Sequence, residues 1–300
     1  MLEKNENIFY FDAHFHLADC MQAAWPFDKL RDHMPSNWAG CSCSHSIEEW
    51  EIVQALQSAV PEPVEGHGPQ TNPAVPEPVE GHGPQTNPAV PEALEGPPKN
   101  IYLSYGLHPQ SAGHINIKEN ADFLEQLLQQ KKLHAIGEAG FDYFTLEFRD
   151  QATIQEEMFN LQLDLALQYN MPMVIHARKA NHKLFEYSRQ FKKLPAVLFH
   201  SFMGPAREAQ SLIDHGINAY FSFGKQIMNN NKKVLDCAKH LPLKNLLLET
   251  DAPFQYLKGE SFTSPQDITK IYDAFVELRD ESRDDVFIQL RENFLELYEN

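Results

Sequence analysis

Histidines and carboxylates that could bind a metal ion follow several short apolar runs of the sequence. His14 and His16 flank Phe15 in the first of these runs. Residues two positions apart on a strand share one face, so both imidazoles can point toward one ion. Four residues of the same kinds end later runs: Glu138, His176, His200 and Asp251. Because neutral nitrogen and carboxylate oxygen donors suit Zn, Mn, Mg, Fe or Ni, the set predicts a site for divalent metal ions.

Hydrolysis is the chemistry that such a site supports. Two cations about 3.5 to 4 Å apart polarise a phosphoryl or carbonyl oxygen and lower the pKa of water toward about 7. A carboxylate has two oxygens and can bridge two ions, and Asp251 is the expected general base because a ligand carboxylate can orient water and accept its proton. Arg178, two residues after His176, can form a forked contact with a phosphate. We therefore expect a two-metal hydrolase with Glu138 and Asp251 as catalytic residues.

Short β-rich runs alternate with amphipathic stretches along the chain. Apolar residues recur at spacings of three and four in segments such as 47–59, 118–132 and 154–169, as expected for helices. Strands are predicted at residues 8–17, 39–44, 101–109, 134–143, 172–178, 196–202, 219–225 and 245–253. Eight alternations in one domain favour a closed α/β barrel of the (β/α)8 TIM-barrel type over an open sheet. Such a barrel carries its site at the carboxyl ends of the strands, which would bring the candidate ligands onto one ring.

The charge of the chain limits its partners. The formal net charge is −17 and the pI is near 5.2, which argues against a broad basic surface that holds nucleic acid by neutralising phosphates. A phosphate substrate would instead be attracted by bound cations. No apolar run approaches the roughly 18 residues of a membrane span, and no obligate protein partner is evident.

Cysteine usage and the N-terminal residues indicate a cytoplasmic protein. The four cysteines are too few and too irregularly spaced for a disulfide framework, so reduced thiols are expected. Cys41 and Cys43 are predicted to be core residues, because they lack the two-residue spacer of a zinc knuckle. The N-terminal segment has acidic residues early and no long apolar region, unlike a secretory signal.

A tandem repeat interrupts the chain between the second and third predicted strands. Residues 60–74 (VPEPVEGHGPQTNPA) recur identically as residues 75–89, and a diverged third copy begins at Val90. The repeat is rich in Pro, Gly and Glu and has almost no large apolar residues, so it cannot bury enough surface to offset its ordering entropy. We expect residues 60–98 to be a flexible insertion within one barrel domain of residues 1–300, on the face opposite the active site.

Several sequence blocks together resemble the TatD family of metal-dependent deoxyribonucleases, within the amidohydrolase-like superfamily. The blocks run in order across nearly the whole chain: FDAHFHL, YGLHP, IGEAGFDY, VIHAR, FHSFMG, YFSFGK, LLLETDAP and ENFLELY. The resemblance implies two metal ions that share a bridging carboxylate. The implied ligands are His14, His16 and Asp251 for one ion, His176 and His200 for the other, and Glu138 for both.

The resemblance also bears on the substrate. It implies that His108, in YGLHP, lies near the substrate phosphate, where Arg178 is a second candidate contact. The chain departs from the family after TDAP, where FQYLKGESFTSPQ replaces a segment that usually holds an arginine and an asparagine. The expected activity is phosphodiester hydrolysis at DNA ends. One alternative is hydrolysis of a small-molecule amide, ester or phosphoester on the same site, and another is a non-catalytic barrel that binds metal or a partner.

Overall fold

Eight strands form one parallel sheet in the computed structural model of the chain, which describes residues 10–23, 34–35, 37–58 and 101–299. The strands are Tyr10–Phe15 (β1), Trp38–Ser44 (β2), Ile101–Tyr105 (β3), Ala135–Asp142 (β4), Met173–Arg178 (β5), Val197–Phe199 (β6), Ala219–Phe223 (β7) and Leu246–Leu248 (β8). Each strand pairs in parallel with the next one along the chain. The predicted barrel is therefore confirmed, although most strands are shorter than predicted because the chain turns into loops at the ligand-bearing ends.

Helices connect the strands and pack around the barrel. The α-helices among the described residues are Leu17–Ala23 (α1), Ile47–Ser58 (α2), Ile117–Gln129 (α3), Leu146–Asp150 (α4), Ala152–Tyr169 (α5), Asn181–Glu186 (α6), Ser188–Phe191 (α7), Ala206–Asp214 (α8), Lys232–His240 (α9), Ile268–Val276 (α10) and Arg283–Tyr298 (α11). Short 3-10 turns cover Pro109–Ser111, Lys225–Met228, Leu243–Asn245 and Pro265–Asp267. None of the described helices is both long and apolar enough to cross a membrane. The predicted insertion at residues 60–98 lies outside the described residues, between α2 and β3.

The last strand returns to the first at the carboxyl end of the barrel. The backbone N–H of Asp251 donates to the carbonyl of His14 at 2.9 Å, and the backbone N–H of His16 donates to the carbonyl of Ala252 at 2.8 Å. These two bonds join the carboxyl end of β1 to the segment that follows β8. Three of the four residues they connect are predicted metal ligands, so the barrel closes at the candidate site.

The C-terminal helix α11 closes the opposite end of the barrel. Small and apolar strand residues fill the interior there: Phe11, Ala13, Ala39, Cys41, Ala135, Val174, Ala196, Leu198, Tyr220 and Leu247. The Phe294 ring of α11 packs on them, with its centroid 5.0 Å from that of Phe11. The Tyr298 hydroxyl donates to the carbonyl of Ala13 at 2.7 Å. Both Cys41 and Cys43 are buried, as predicted for core residues.

Replacing Phe294 by Ala should leave a cavity in this end of the barrel. The ring is fully buried, and truncation of a buried phenylalanine lowers the free energy of unfolding by about 3–5 kcal/mol. We expect a loss of that size in urea unfolding followed by circular dichroism. The matched control is Ile288→Ala, on the same helix but at a position 56% exposed, which should change the free energy of unfolding by no more than about 0.5 kcal/mol. Equal losses for the two variants would contradict the role given to α11.

Candidate metal centre

The six predicted metal ligands come together at the carboxyl end of the barrel. Each lies within a strand or just beyond its end: His14 and His16 (β1), Glu138 (β4), His176 (β5), His200 (β6) and Asp251 (β8). All are buried except His176, which is half-buried. A set of ionisable side chains in such a place needs charge compensation from within the set or from a bound ion.

A register shift in β1 allows both N-terminal histidines to face the interior. Phe11 and Ala13 already lie in the barrel core, and the pairing of β1 with β2 shifts between Asp12 and Phe15. After this irregularity His14 and His16 point inward, with their Nε2 atoms 3.1 Å apart. Irregularities of this kind re-aim side chains next to active sites.

The Glu138 carboxylate lies at the centre of the cluster. One oxygen, Oε2, is 3.2 Å from His14 Nε2 and 3.8 Å from His16 Nε2. The other oxygen, Oε1, is 2.5 Å from His176 Nδ1 and 2.8 Å from His200 Nε2. The two oxygens therefore face two groups of imidazoles, which meet where the His14 and His200 rings contact with centroids 4.4 Å apart. A carboxylate placed in this way can bridge two cations.

The spacing of the donor atoms fits divalent cations. On the Oε2 side, Asp251 Oδ1 lies 3.1 Å from His16 Nε2 and 3.7 Å from His14 Nε2. Donors about 2.1 Å from a tetrahedral ion are about 3.4 Å from one another, which is close to these distances. On the Oε1 side, His176 Nδ1 and His200 Nε2 are 3.3 Å apart. The residues present could thus hold ions that accept nitrogen and carboxylate oxygen.

The carboxylates of the cluster are in the form that binds cations. Burial alone would raise the pKa of Glu138, but the charge of the neighbouring His200 helps to lower it well below its usual range. Burial likewise opposes the charge of Asp251, yet its hydrogen bond with His16 lowers the pKa of that carboxyl. Both groups are therefore ionised at neutral pH.

The histidines divide into two kinds. Burial lowers the pKa of His14 and lowers that of His108 to about 3, so these rings are neutral. Burial also opposes the charge of His176 and His200, but the Glu138 carboxylate outweighs it and raises both pKa values. His176 and His200 are the rings closest to Glu138 Oε1. A cation that binds to them would therefore displace a proton from each ring.

Two further buried carboxylates lie behind the histidines on the Oε1 side. Asp142 Oδ2 is 3.3 Å from His176 Nε2 and accepts a 2.7 Å hydrogen bond from Gln110 Nε2. Glu249 Oε1 is 3.4 Å from His200 Nδ1. Carboxylates in this position fix the orientation and tautomer of metal-binding histidines. Neither was predicted from the sequence, although both lie in the blocks that carry the predicted carboxylate ligands.

A third buried carboxylate, Asp12, connects the first and last strands. It accepts hydrogen bonds from the backbone N–H and the hydroxyl of Thr250, at 2.8 and 2.6 Å. Asp251, the residue after Thr250, has a positive φ of 52°. This conformation costs free energy for a residue with a side chain. Asp12 thus helps to hold Asp251 in the backbone geometry that turns its carboxylate toward His16.

Glycines on either side of Glu138 permit the close approach of β4 and β5. A Cβ on Gly137 would lie 2.3 Å from the carbonyl oxygen of Val174, and a Cβ on Gly140 would lie 2.0 Å from that of His176. Both glycines have positive φ, at 135° and 146°, which other residues rarely adopt. They allow Glu138 to lie directly beside the strand that carries His176.

His45 also belongs to the cluster, although it was not predicted. It follows β2 directly, and its Nε2 lies 3.5 Å from Glu138 Oε2. Its ring contacts those of His16 and His108, with centroids 4.9 and 4.8 Å away. Its position immediately after a predicted strand could have identified it. The same rule, that barrel sites lie at strand ends, selected His200.

A cleft of about 520 Å³ opens above the cluster, and both predicted substrate contacts line it. His108 Nε2 is 3.2 Å from Glu138 Oε1. The Arg178 guanidinium lies over the Phe144 ring, 3.7 Å from its centroid. Their positions match the expectation that they meet a substrate at the barrel mouth, and that contact itself stays a prediction.

The segment after Asp251 adds no cation to the cleft in the part of the chain that the structure describes. Lys258 is exposed and lies outside the cleft lining. The buried Lys225 is paired with Glu260 at 2.6 Å and with Asp267 at 2.8 Å. Among the described residues, Arg178 is thus the one lysine or arginine that lines the cleft.

The chain is similar to known proteins in sequence. Residues 11–299 match the family described as TatD related DNase. The "uncharacterized metal-dependent hydrolase YabD" of Bacillus subtilis is 34% identical over 157 residues, which are 51% of this chain and 59% of that protein. The "3'-5' ssDNA/RNA exonuclease TatD" of Edwardsiella piscicida is 32% identical over 160 residues, which are 52% of this chain and 60% of that protein. The chain thus spans about three fifths of the length of these two relatives.

The fold is shared with solved structures at lower identity. The crystal structure of YjjV, a TatD homologue from Escherichia coli, has a TM-score of 0.75 at 22% identity and covers 98% of this chain and 99% of its own. An uncharacterized amidohydrolase from Saccharomyces cerevisiae has a TM-score of 0.71 at 16% identity, with 97% and 99% coverage. These similarities confirm the barrel. Because the family match extends over residues 11–299, the chain belongs to the TatD-related DNase family that its sequence blocks indicated.

Proposed function

We propose that this protein is a divalent-metal-dependent deoxyribonuclease that hydrolyses phosphodiester bonds at DNA ends. The observation that carries the proposal is the placement of Glu138, whose two oxygens face two donor groups. Two relatives, one named as a metal-dependent hydrolase and one as an exonuclease of single-stranded DNA and RNA, support the choice of reaction. The same chemistry acts on other esters, so the substrate is the part that experiment must test.

In the proposed centre, two groups of side chains would hold two ions and share one carboxylate. The ligands are His14, His16 and Asp251 for the first ion, His176 and His200 for the second, and Glu138 for both. Zn, Mn, Fe, Ni and Mg all accept some of these donors, and the nitrogen-rich set favours the first four. Bound ions would polarise a phosphoryl oxygen and lower the pKa of water enough for attack at neutral pH.

Asp251 is the proposed general base. Its carboxylate lines the cleft, with Oδ1 3.1 Å from His16 Nε2 and with Oδ2 accepting a 2.6 Å hydrogen bond from Gln255 Nε2. Despite its burial, the hydrogen bond with His16 keeps the pKa of this carboxyl low. The ionised carboxylate can therefore accept the proton of the attacking water.

His108 and Arg178 are the proposed contacts to the scissile phosphate. His108 Nδ1 accepts the backbone N–H of Gln110 at 3.2 Å, so the neutral ring carries its proton on Nε2, which faces Glu138 and the cleft. That N–H can donate to a phosphate oxygen. The Arg178 guanidinium, stacked on Phe144, offers a fork of donors to the same group.

The mouth of the cleft favours a single-stranded substrate. Phe254, Tyr256 and Met203 line it and are 46%, 59% and 42% exposed. Unpaired bases stack on aromatic side chains in such positions. Because the chain has a net charge of −17, a long duplex would find few phosphate contacts on it. We therefore propose that a single-stranded end enters the cleft.

The first test is the variant Asp251→Asn. Loss of the general base should slow the cleavage of single-stranded DNA by on the order of 100-fold or more. The rate is measured as nucleotide release from an end-labelled oligonucleotide, and elemental analysis of each protein separates loss of the base from loss of metal. Asp236→Asn is the control, since Asp236 is an exposed carboxylate on α9, and it should cleave at the wild-type rate.

Three outcomes would contradict the nuclease proposal. Equal rates for wild type and Asp251→Asn would mean that the cleavage does not take place at this site. Turnover of small amides or esters without cleavage of DNA would favour the small-molecule alternative. Metal binding without turnover of any member of such a substrate panel would favour a barrel that only binds.

A second prediction concerns the mouth of the cleft. Base stacking on one aromatic side chain contributes about 1–3 kcal/mol, so Tyr256→Ala should weaken the binding of single-stranded DNA by about 5- to 150-fold in Kd. Fluorescence anisotropy of a labelled oligonucleotide in the Asp251→Asn background measures binding without cleavage. Tyr256→Phe is the matched control because it keeps the ring, and it should bind like its parent. An Ala variant that binds as tightly as the Phe variant would exclude stacking.

We also propose that residues 60–98 are dispensable for catalysis. They connect α2 to β3, and a helix-to-strand connection in such a barrel runs on the face opposite the active site. Replacing them by a short Gly-Ser linker should leave kcat/KM on single-stranded DNA unchanged. Loss of activity in a shortened protein that keeps its wild-type circular dichroism spectrum would instead give the repeat a role in the reaction.

We infer a cytoplasmic location for the enzyme. All four cysteines are buried as free thiols, which suits a reducing compartment. A cytoplasmic enzyme would meet single-stranded nucleic acid ends and the divalent ions that the proposed centre needs.

A further inference from the structure

His45 has no role in the two-ion centre described above, although it lies within the cluster. Its backbone N–H donates to Glu49 Oε2 at 2.7 Å, and the Glu49 N–H donates to Ser46 Oγ at 3.2 Å. The start of α2 therefore fixes its position. Its Nε2 is buried and makes no hydrogen bond, and it lies 3.5 Å from Glu138 Oε2. A buried polar atom without a partner costs free energy, and a ligand at Nε2 would remove that cost.

The surroundings of this nitrogen suit a cation. His16, His45 and Glu138 offer ligand atoms that all lie within 4.8 Å of one another. The His108 ring flanks His45 on the other side, with its centroid 4.8 Å away. The carboxylate of Glu138 attracts a cation to this point. His45 therefore has the surroundings of a metal ligand.

The strand that precedes His45 is also anchored to the main chain of Glu138. Cys43, on β2 two residues before His45, donates through Sγ to the carbonyl of Gly137 and accepts the N–H of Glu138, both at 2.9 Å. Cys43 thus holds the Glu138 backbone, and His45, just beyond the end of β2, lies beside its carboxylate. The barrel itself sets the separation between His45 and Glu138, which is the rigidity that a metal site needs.

We infer that His45 is a further metal ligand, donating through Nε2 to a divalent cation held on the Oε2 side of Glu138 together with His16. The inference deepens the proposed function and rests on its metal centre. Coordination by His45 would add a nitrogen donor on the Oε2 side of Glu138. A larger fraction of nitrogen donors favours Zn, Mn, Fe, Co or Ni over Mg.

Metal titration of the variant His45→Gln tests the inference without reference to activity. Protein freed of metal by a chelator is titrated with Co²⁺, followed by visible absorption, and with Zn²⁺ in competition with a chromophoric chelator. Removing a residue that merely supports a ligand weakens metal affinity by about 10- to 100-fold, so loss of a ligand should weaken one binding step at least tenfold and change the Co²⁺ spectrum. His114→Gln, at an exposed position, should match wild type in both respects.

Wild-type affinities and an unchanged Co²⁺ spectrum in His45→Gln would overturn the inference. If wild type itself binds no Co²⁺ or Zn²⁺, the proposed function fails together with it, whereas two ions bound by wild type and retained unchanged by the variant overturn the role of His45 alone. Anomalous scattering from crystals of zinc-loaded wild-type protein gives a second measurement that does not depend on the folding of a variant. A zinc peak about 2.1 Å from His45 Nε2 would support the inference, and a nearest peak beyond about 3 Å would exclude coordination.

Discussion

A buried carboxylate between two groups of imidazoles is the interaction on which the rest of this structure depends. Glu138 is 2% exposed, and taking an ion out of water costs several kcal/mol. The barrel offsets that cost by aiming histidines from several strands at the two oxygens. The glycines at 137 and 140, the irregularity in β1 and the carboxylates behind His176 and His200 all position donors around this one group.

The two sides of the carboxylate differ in burial. On the Oε2 side, His14, His16 and Asp251 are buried and tied to the backbone closure of the barrel. On the Oε1 side, His176 is half-buried and opens to the cleft. Both sides also reach the cleft, through His16 and Asp251 on one side and through His176 and His200 on the other, so water and substrate can approach either side. In the proposed function, the aromatic side chains at the mouth and Arg178, the one arginine among the described residues that line the cleft, select the kind of molecule that enters.

The barrel and most of the cluster were predictable because both follow from local patterns. Alternating β-rich and amphipathic runs predicted eight strands, and the placement of barrel sites at strand ends selected His200 and Asp251. His45 was missed because the run AGCSCS does not reveal which of its faces points inward. Asp142 and Glu249 were missed because the role of a carboxylate behind a histidine depends on contacts between strands, which no local spacing encodes. The insertion at residues 60–98 stays a prediction.

The joining of the first and last strands at the cluster has a consequence for biosynthesis. The contact between His16 and Asp251 connects residues 235 positions apart, and β8 is the last strand to enter the sheet. A ribosome adds about 5–20 residues per second, so the N-terminal histidines leave the tunnel well before Asp251 is made. A nascent chain that ends before β8 lacks the proposed general base. A nuclease built in this way cannot use this mechanism until Asp251 has been synthesised.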